Sequence, residues 1–263
     1  ARRGRGLCRF QGVQMSAKPR ARVAEEPRAK ILADGTLLLH GVIGDEWDGL
    51  NSAKVVEDIH SIDADEFKVN INSPGGFVTD GLAIYHELAT HRANVIIEIS
   101  GVAASMASAI AMAGNSVRIA KNGMMMIHDP WNVAVGNADD LRVAADLLDK
   151  FGTTLVNMYA RKTGLAEDEI QEMMKKDAGQ GTWMSADEAL ELGFVDEIIE
   201  PVEVEAFADL DVSELASVPA ALTNLIREGR KMALAKVAPK PESKTETPPP
   251  AAEATPPTNA APA

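Results

Sequence analysis

Residues 95–108, Val-Ile-Ile-Glu-Ile-Ser-Gly-Val-Ala-Ala-Ser-Met-Ala-Ser, decide the fold of this 263-residue chain. The β-branched run at 95–99 predicts a buried strand, and the uncharged run of small residues that ends at Gly114 predicts a buried helix. A strand that turns directly into a helix is the repeating unit of α/β proteins. Ser105 falls in the first turn of the predicted helix.

Ser105 has two interpretations. Serine is a common N-cap residue, whose hydroxyl accepts a hydrogen bond from a backbone N–H of the first helical turn. A serine at this place can also be a nucleophile, because the unpaired N–H groups and the positive end of the helix dipole favour a developing oxyanion. The residues in the rest of the chain favour the nucleophile.

Composition and charge restrict the class of protein. The single cysteine, Cys8, leaves no disulfide framework and no cysteine-based zinc site, and it fits a reducing, cytoplasmic compartment. Residues 1–30 hold nine lysines and arginines against two glutamates, whereas the remaining residues hold 17 basic and 37 acidic side chains. This acidic body argues against a nucleic-acid-binding domain. The apolar run at 101–114 is too short for a membrane span, and we expect neither a signal peptide nor a membrane partner.

Four segments are expected along the chain. Residues 1–29 form a basic arm of low hydrophobicity, and residues 238–263 form a tail rich in proline and alanine; both are predicted to be disordered. Residues 30–200 contain the periodic apolar pattern of a folded domain. Residues 201–237 are predicted to be an acidic, partly helical extension.

The apolar pattern of residues 30–200 alternates between strands and helices. It predicts a hairpin at 30–43, helices at 51–62, 79–91, 138–162, 166–175 and 185–192, and strands at 67–71, 95–99, 116–119, 124–127 and 194–199. A loop is predicted at 177–182. This order favours a right-handed parallel α/β layer structure with its ligand site at the strand ends. The helix at 138–162 would be roughly 35 to 40 Å long, which favours an oligomer contact.

Three strand ends carry groups with catalytic chemistry. Pro74-Gly75-Gly76 is typical of an ordinary turn, but its glycines also let backbone N–H groups approach a substrate closely. His128 follows an apolar strand and precedes Asp129-Pro130, which places an imidazole at the sheet edge, where it suits a general base. Most single histidines are structural. The combination of the Gly75-Gly76 turn, Ser105 and His128 on consecutive βα units nevertheless favours nucleophilic catalysis.

Three blocks of the sequence resemble the Clp (caseinolytic) serine peptidase family. They are Asn72-Ser73-Pro74-Gly75-Gly76, Gly101-Val102-Ala103-Ala104-Ser105-Met106-Ala107 and Met126-Ile127-His128-Asp129-Pro130. The resemblance runs from about residue 41 to residue 199. Further blocks resemble the phage branch that processes capsid precursors: Asp129-Pro130-Trp131, Gly136-Asn137-Ala138-Asp139-Asp140-Leu141 and Thr182-Trp183-Met184-Ser185-Ala186.

The resemblance implies a fold and a set of roles. The fold is the spiral βαβ superhelix shared with crotonases, with the helix at 138–162 as a handle that projects between stacked homo-oligomeric rings. Ser105 is the implied nucleophile, His128 the base, and the N–H groups of Gly76 and Met106 the oxyanion hole. The implied function is a serine endopeptidase that cleaves capsid or scaffold precursors during head maturation, without metal or other cofactor. Since the sequence contains no P-loop, any ATPase that assists must be a separate chain.

The third member of a catalytic triad is the point at which the chain departs from the family. The family places a carboxylate two residues before the aromatic residue that matches Trp183, and Gly181 stands there. Asp177 is the nearest acid and our candidate, and Asp129 is a second. A Ser/His dyad oriented by a backbone carbonyl or water is the third alternative.

Two other functions fit parts of the pattern. A catalytically weak capsid-assembly or scaffolding protein on the same fold would explain Gly181, with the arm and tail as interaction segments. A crotonase-type acyl-CoA enzyme would share the oxyanion architecture, but it would not need serine and histidine together.

Overall fold

The computed structural model describes residues 29–44, 50–201 and 218–237, together with residues 203, 207, 208, 210–213 and 215. The two predicted disordered segments, except for residue 29, lie outside the described residues and stay predictions. Among the helices of the described ranges, none combines the length and the apolar composition that a membrane span requires.

Eight strands of the described chain form one mixed sheet, and seven helices accompany it. The strands are β1 (Ala29–Ile31), β2 (Leu37–His40), β3 (Glu66–Ser73), β4 (Asn94–Ala104), β5 (Ser116–Ala120), β6 (Met124–Ile127), β7 (Thr182–Ser185) and β8 (Glu197–Ile199). The helices are α1 (Ser52–Ser61), α2 (Val78–Thr90), α3 (Met106–Ala111), α4 (Ala138–Thr163), α5 (Glu167–Gly179), α6 (Ala186–Glu191) and α7 (Ala220–Val237).

The longest strand, β4, changes partner along its length. The strand order is β1-β2-β3-β4-β5-β8, with β2, β3, β4, β5 and β8 parallel and β1 antiparallel to β2. Residues 96–99 of β4 pair with β5, whereas residues 102–104 pair with β6, which in turn pairs antiparallel with β7. The C-terminal ends of β4 and β6 therefore lie side by side.

The main core lies between the sheet and the helices on one of its faces. Ile84 and Leu88 of α2, Ile110 of α3 and Tyr159 of α4 are at most 1% exposed and belong to this core. The opposite face is polar near the start of the parallel strands. An ion-paired row crosses β3, β4, β5 and β8 there, formed by Lys68, Glu98, Arg118 and Glu197.

A second apolar cluster joins the predicted C-terminal extension to the far end of this opposite face. Val102 and Ala104 of β4 and Met126 of β6 contribute from the sheet, and the extension supplies Phe207, Leu210, Leu222 and Ile226. Arg230 of α7 fixes the extension, since its guanidinium donates to the carbonyl oxygens of Ala208 (3.0 Å) and Leu210 (3.1 Å). The extension therefore packs directly behind the strand ends that precede Ser105 and His128.

The predicted long helix is present as α4, with 26 residues and a length of about 39 Å. Its second half packs into the core through Leu155, Val156, Met158 and Tyr159. Residues 138–150 contain no buried side chain, and Val143 in this half is 64% exposed. Projection of this half into an oligomer stays a prediction.

Several predicted elements were wrong in their bounds: the helix predicted to end at Gly114 ends at Ala111, and the strand β7 was not predicted. The strand predicted at 95–99 continues to Ala104, so Gly101 lies inside β4 rather than after the strand. The loop predicted at 177–182 is helical up to Gly179, because α5 is longer than expected. The strand predicted at 194–199 is limited to residues 197–199, since Phe194 and Val195 are buried in the core before the ladder begins.

Replacement of Phe207 by alanine tests whether the extension is part of the folded unit. The Phe207 ring is fully buried, so we expect Phe207→Ala to lower the free energy of unfolding by about 3 kcal/mol. Urea denaturation measures this loss. Met232→Ala, at a 50% exposed position of α7, is the control and should change stability by less than about 0.5 kcal/mol. Equal stability of the two variants would contradict the packing.

Candidate active site

Ser105 stands between the end of β4 and the start of α3 in a backbone conformation that is rare for serine. Its φ is 53° and its ψ is −126°. A non-glycine residue at such a positive φ costs about 1 to 3 kcal/mol, so its surroundings must hold it there. Its N–H donates to the carbonyl oxygen of Met126 at 2.9 Å, which ties the turn to β6.

The Ser105 hydroxyl does not cap α3. The serine occupies the N-cap position, but its side chain makes no capping hydrogen bond, so the capping interpretation was wrong. Instead, Oγ lies 2.6 Å from Nε2 of His128. The register of the sheet explains this contact. Ala104 pairs with Met126, Ser105 follows Ala104 directly, and His128 lies two residues after Met126, so both residues stand at neighbouring strand ends.

His128 is suited to accept a proton from Ser105. The imidazole is largely buried, and this burial lowers the pKa of His128 below its ordinary value. The neutral ring therefore predominates at pH 7. With the Ser105 hydroxyl donating to Nε2, the ring proton belongs on Nδ1, which faces away from the serine.

The Gly75-Gly76 turn packs directly against the nucleophile turn. Gly75 has a φ of 100°, and a Cβ placed on it would lie 2.7 Å from the Ser105 Cβ and 2.9 Å from the Met106 nitrogen. Two backbone hydrogen bonds fix the turn against Ile43: Ile43 N–H donates to Gly75 O (2.8 Å), and Phe77 N–H donates to Ile43 O (3.0 Å). The Pro-Gly-Gly block and the serine block are thus spatial neighbours.

Neither candidate acid has a described hydrogen bond with His128, whose described side-chain partner is Ser105. Asp177 lies in the last turn of α5 with a φ of 52° and an exposed side chain, and no hydrogen bond joins it to His128 within the described ranges. Asp129 is half-buried, and burial raises the pKa of its carboxyl. The Asp129 N–H donates to Met174 O at 3.2 Å, and its carboxylate likewise makes no described hydrogen bond with His128.

Gly181 lies against the backbone of His128. It has a φ of 85°, and a Cβ placed on it would overlap Ile127 O and His128 Cβ. Its N–H donates to Lys176 O at 3.0 Å, which holds the chain in this close approach. With this backbone, residue 181 has no room for any side chain, a carboxylate included.

Two buried hydroxyls beneath the site were missed by the sequence reasoning. Ser108 is fully buried, and its Oγ contacts both Ser105 O and the hydroxyl of Tyr159. One signal was present: Ser108 is the only polar residue in the α3 sequence Met-Ala-Ser-Ala-Ile-Ala, three positions after Ser105. Tyr159 gave no signal, because it is 51 residues away in the chain from Ser108.

No group of three or more histidine, cysteine, aspartate or glutamate side chains in the described part of the chain is arranged to hold a metal ion. The polar groups of the site that lie close to one another are a hydroxyl, an imidazole and backbone amides. This set suits nucleophilic attack on a carbonyl group.

Comparison with known protein families assigns the chain to a family of peptidases. The family model described as Clp protease matches residues 22–202, which is more than two thirds of the chain and includes all eight described strands. The mixed α/β fold is consistent with that of this family. The match ends before α7, so this helix lies outside the matched region. The chain belongs to the Clp protease family, a family of serine-type peptidases that act on protein substrates.

Proposed function

We propose that the chain is a serine endopeptidase in which Ser105 is the nucleophile, His128 is the general base, and the N–H groups of Gly76 and Met106 form the oxyanion hole. The observation that carries the proposal is the 2.6 Å contact between Ser105 Oγ and His128 Nε2. Support for the oxyanion hole comes from the packing of Gly75 against Met106 N, which makes the two amides neighbours.

The proposed reaction has two halves. His128 Nε2 takes the Ser105 proton while Oγ attacks the peptide carbonyl, and the resulting oxyanion accepts hydrogen bonds from the two amides. The imidazolium then gives its proton to the leaving amine, and an acyl-enzyme remains on Oγ. Water then gives a proton to His128 and attacks the ester carbonyl. The imidazolium returns that proton to Ser105 Oγ as the C–Oγ bond breaks, which releases the acid product and restores both residues.

Two arrangements can orient the His128 ring. In a triad, the C-terminal turn of α5 rearranges and Asp177 accepts the Nδ1 proton. In a dyad, a backbone carbonyl or a water molecule accepts it. The described conformation favours the dyad, because Asp177 is exposed and has no hydrogen bond to His128 there. In addition, the position where the family carries its carboxylate is Gly181, which has no room for a side chain.

The proposed substrates are capsid or scaffold precursors of a phage, cleaved in the host cytoplasm or in the assembling prohead. The blocks around Trp131, Asn137 and Trp183 support this branch by their resemblance. The proposed assembly is a homo-oligomeric ring that contacts others through the first half of α4, which offers the exposed Val143 and Leu147 to a partner. A separate ATPase is a further proposed partner, and it would raise the rate of protein cleavage when ATP and a cell extract are added.

A second candidate function is an assembly protein that retains the fold with little catalysis. The observation that favours it is the missing carboxylate at position 181, since removal of the orienting acid from a triad costs about 10⁴ in rate. The two functions differ in the reactivity of Ser105.

Labelling with a fluorophosphonate tests the proposed nucleophile and base. We expect one adduct per chain in the wild type and none in Ser105→Ala or His128→Ala, because the alkoxide needs both groups. Intact-protein mass spectrometry and cleavage of casein are the readouts. The controls Ser61→Ala and His86→Ala change exposed residues and should label normally. Labelling of Ser105→Ala at the wild-type rate would contradict the assignment, and an unreactive wild type would favour the assembly function.

Substitution of Asp177 by asparagine separates the dyad from the triad. We expect Asp177→Asn to change kcat by less than about twofold, since its carboxylate has no described contact with His128. Asp168→Asn, at the exposed start of the same helix, is the matched control. A loss of about 100-fold or more in Asp177→Asn alone would establish Asp177 as the orienting acid.

The pH dependence of acylation tests the environment of His128. Burial lowers the pKa of His128, so the reactive neutral ring persists below the ordinary histidine pKa and is lost only when the pH falls through the lowered value. We therefore expect the acid limb of the phosphonylation rate to have its midpoint below about 6.5. Circular dichroism over the same pH range separates titration from unfolding. A midpoint above that value would contradict a desolvated base.

A further inference from the structure

We infer that Tyr159 and Ser108 are positioning residues for the reaction: their hydroxyls form a buried link that holds the backbone of Ser105 and of the strand before His128 in the reactive geometry. The inference rests on the proposed peptidase function, and it adds two residues to the site. Neither hydroxyl contacts a reacting atom, so neither residue is catalytic itself.

The link is a compact group of four oxygen atoms. Ser108 Oγ lies 2.6 Å from Ser105 O, 2.8 Å from Met126 O and 2.8 Å from Tyr159 Oη. Tyr159 Oη is also 3.5 Å from Ser105 O. Both side chains are buried, with Ser108 at 0% and Tyr159 at 1% exposure.

The number of protons limits what each hydroxyl can do alone. Ser108 has one hydroxyl proton and two carbonyl oxygens within reach, so it can donate to only one of them at a time. When Ser108 donates to a carbonyl, the Tyr159 hydroxyl must donate to Ser108 Oγ or to Ser105 O. Burial raises the pKa of Tyr159, so its hydroxyl stays a donor throughout the working pH range. Removal of either hydroxyl takes one donor from this group, although backbone N–H groups continue to donate to both carbonyl oxygens: Ser108 N–H to Ser105 O (3.0 Å) and Ser105 N–H to Met126 O (2.9 Å). The expected effect is therefore a loosened geometry rather than an unpaired buried atom.

The two carbonyl groups belong to the backbone that sets the site. One is that of Ser105, whose positive φ must be held by its neighbours. The other is that of Met126, which also accepts the Ser105 N–H and lies two residues before His128. A shift of either segment changes the Oγ–Nε2 contact, and small displacements of reacting groups reduce rates strongly.

Tyr159 is well placed to anchor the link. It lies in the buried second half of α4, and its ring packs against that of Phe194 with 5.8 Å between centroids. The Tyr159 ring thus fixes the hydroxyl relative to the core. Through it, α4 holds the nucleophile turn, although no side chain of α4 reaches Ser105 Oγ in the described contacts.

Tyr159→Phe is the test, because it removes the hydroxyl and keeps the ring. We expect a loss in kcat of roughly 10-fold to 100-fold with KM changed by less than about twofold, and an equal loss in the rate of phosphonylation. Ser108→Ala should give a similar loss. The double variant should lose no more than the larger single loss, because the two hydroxyls act through one link. Tyr85→Phe, which changes the only other tyrosine, is the matched control and should leave kcat unchanged.

A second readout is independent of catalysis. The Ser105 N–H, bonded to Met126 O, should exchange with deuterium faster in Tyr159→Phe than in the wild type, while the amides of β2 and β3 keep their wild-type rates. This pattern separates local displacement from general destabilisation.

The outcomes that would overturn the inference are distinct from failure of the proposed function. A wild type that reacts with the probe, together with unchanged kcat and unchanged exchange in Tyr159→Phe, would overturn the positioning role alone. Additive losses in the double variant would also overturn the link. A wild type that neither cleaves peptide nor takes the probe would overturn the peptidase function, and the positioning role with it.

Discussion

The three-residue pairing between the end of β4 and β6 is the constraint on which the candidate site depends. β4 pairs with β5 up to Ile99 and with β6 from Val102 onward, so β4 and β6 end as neighbouring strands. The residue after β4 is Ser105, and the residue after β6 is His128. The hydrogen bond from Ser105 N–H to Met126 O closes this register. The position of the nucleophile relative to its base therefore follows from backbone pairing rather than from the flexibility of the two side chains.

The surroundings of the pair determine how it can react. The positive φ of Ser105 keeps its hydroxyl from capping α3 and leaves it for the imidazole, while burial keeps that imidazole in its basic form. On one side the Gly75 turn leaves no space for a side chain. On the opposite sheet face, the C-terminal extension covers Ala104 and Met126. The strand ends that carry Ser105 and His128 are therefore packed on both sides, by the Gly75 turn and by the C-terminal extension.

Much of this arrangement could be predicted from the sequence, and the failures have physical causes. Most of the order of strands and helices was readable because long elements carry their own periodicity, and the serine and histidine follow apolar strands. The four-residue strand β7 is too short to show a period, and it was not predicted. Gly101 was expected after the strand that ends at residue 99, yet it lies inside β4. Its missing side chain admits the Asn72 amide there, whose Oδ1 accepts the Val102 N–H at 3.1 Å. Side-chain contacts between distant segments, such as Ser108 with Tyr159, leave no local pattern to read.

The structure of the chain after reaction with a phosphonate would test the central claim most directly, because the adduct imitates the tetrahedral intermediate. The account predicts a phosphorus atom bonded to Ser105 Oγ, with the phosphoryl oxygen within about 3.1 Å of the amide nitrogens of Gly76 and Met106 and His128 Nε2 still facing Oγ. An adduct on another residue, or a phosphoryl oxygen that points away from both amides, would contradict it.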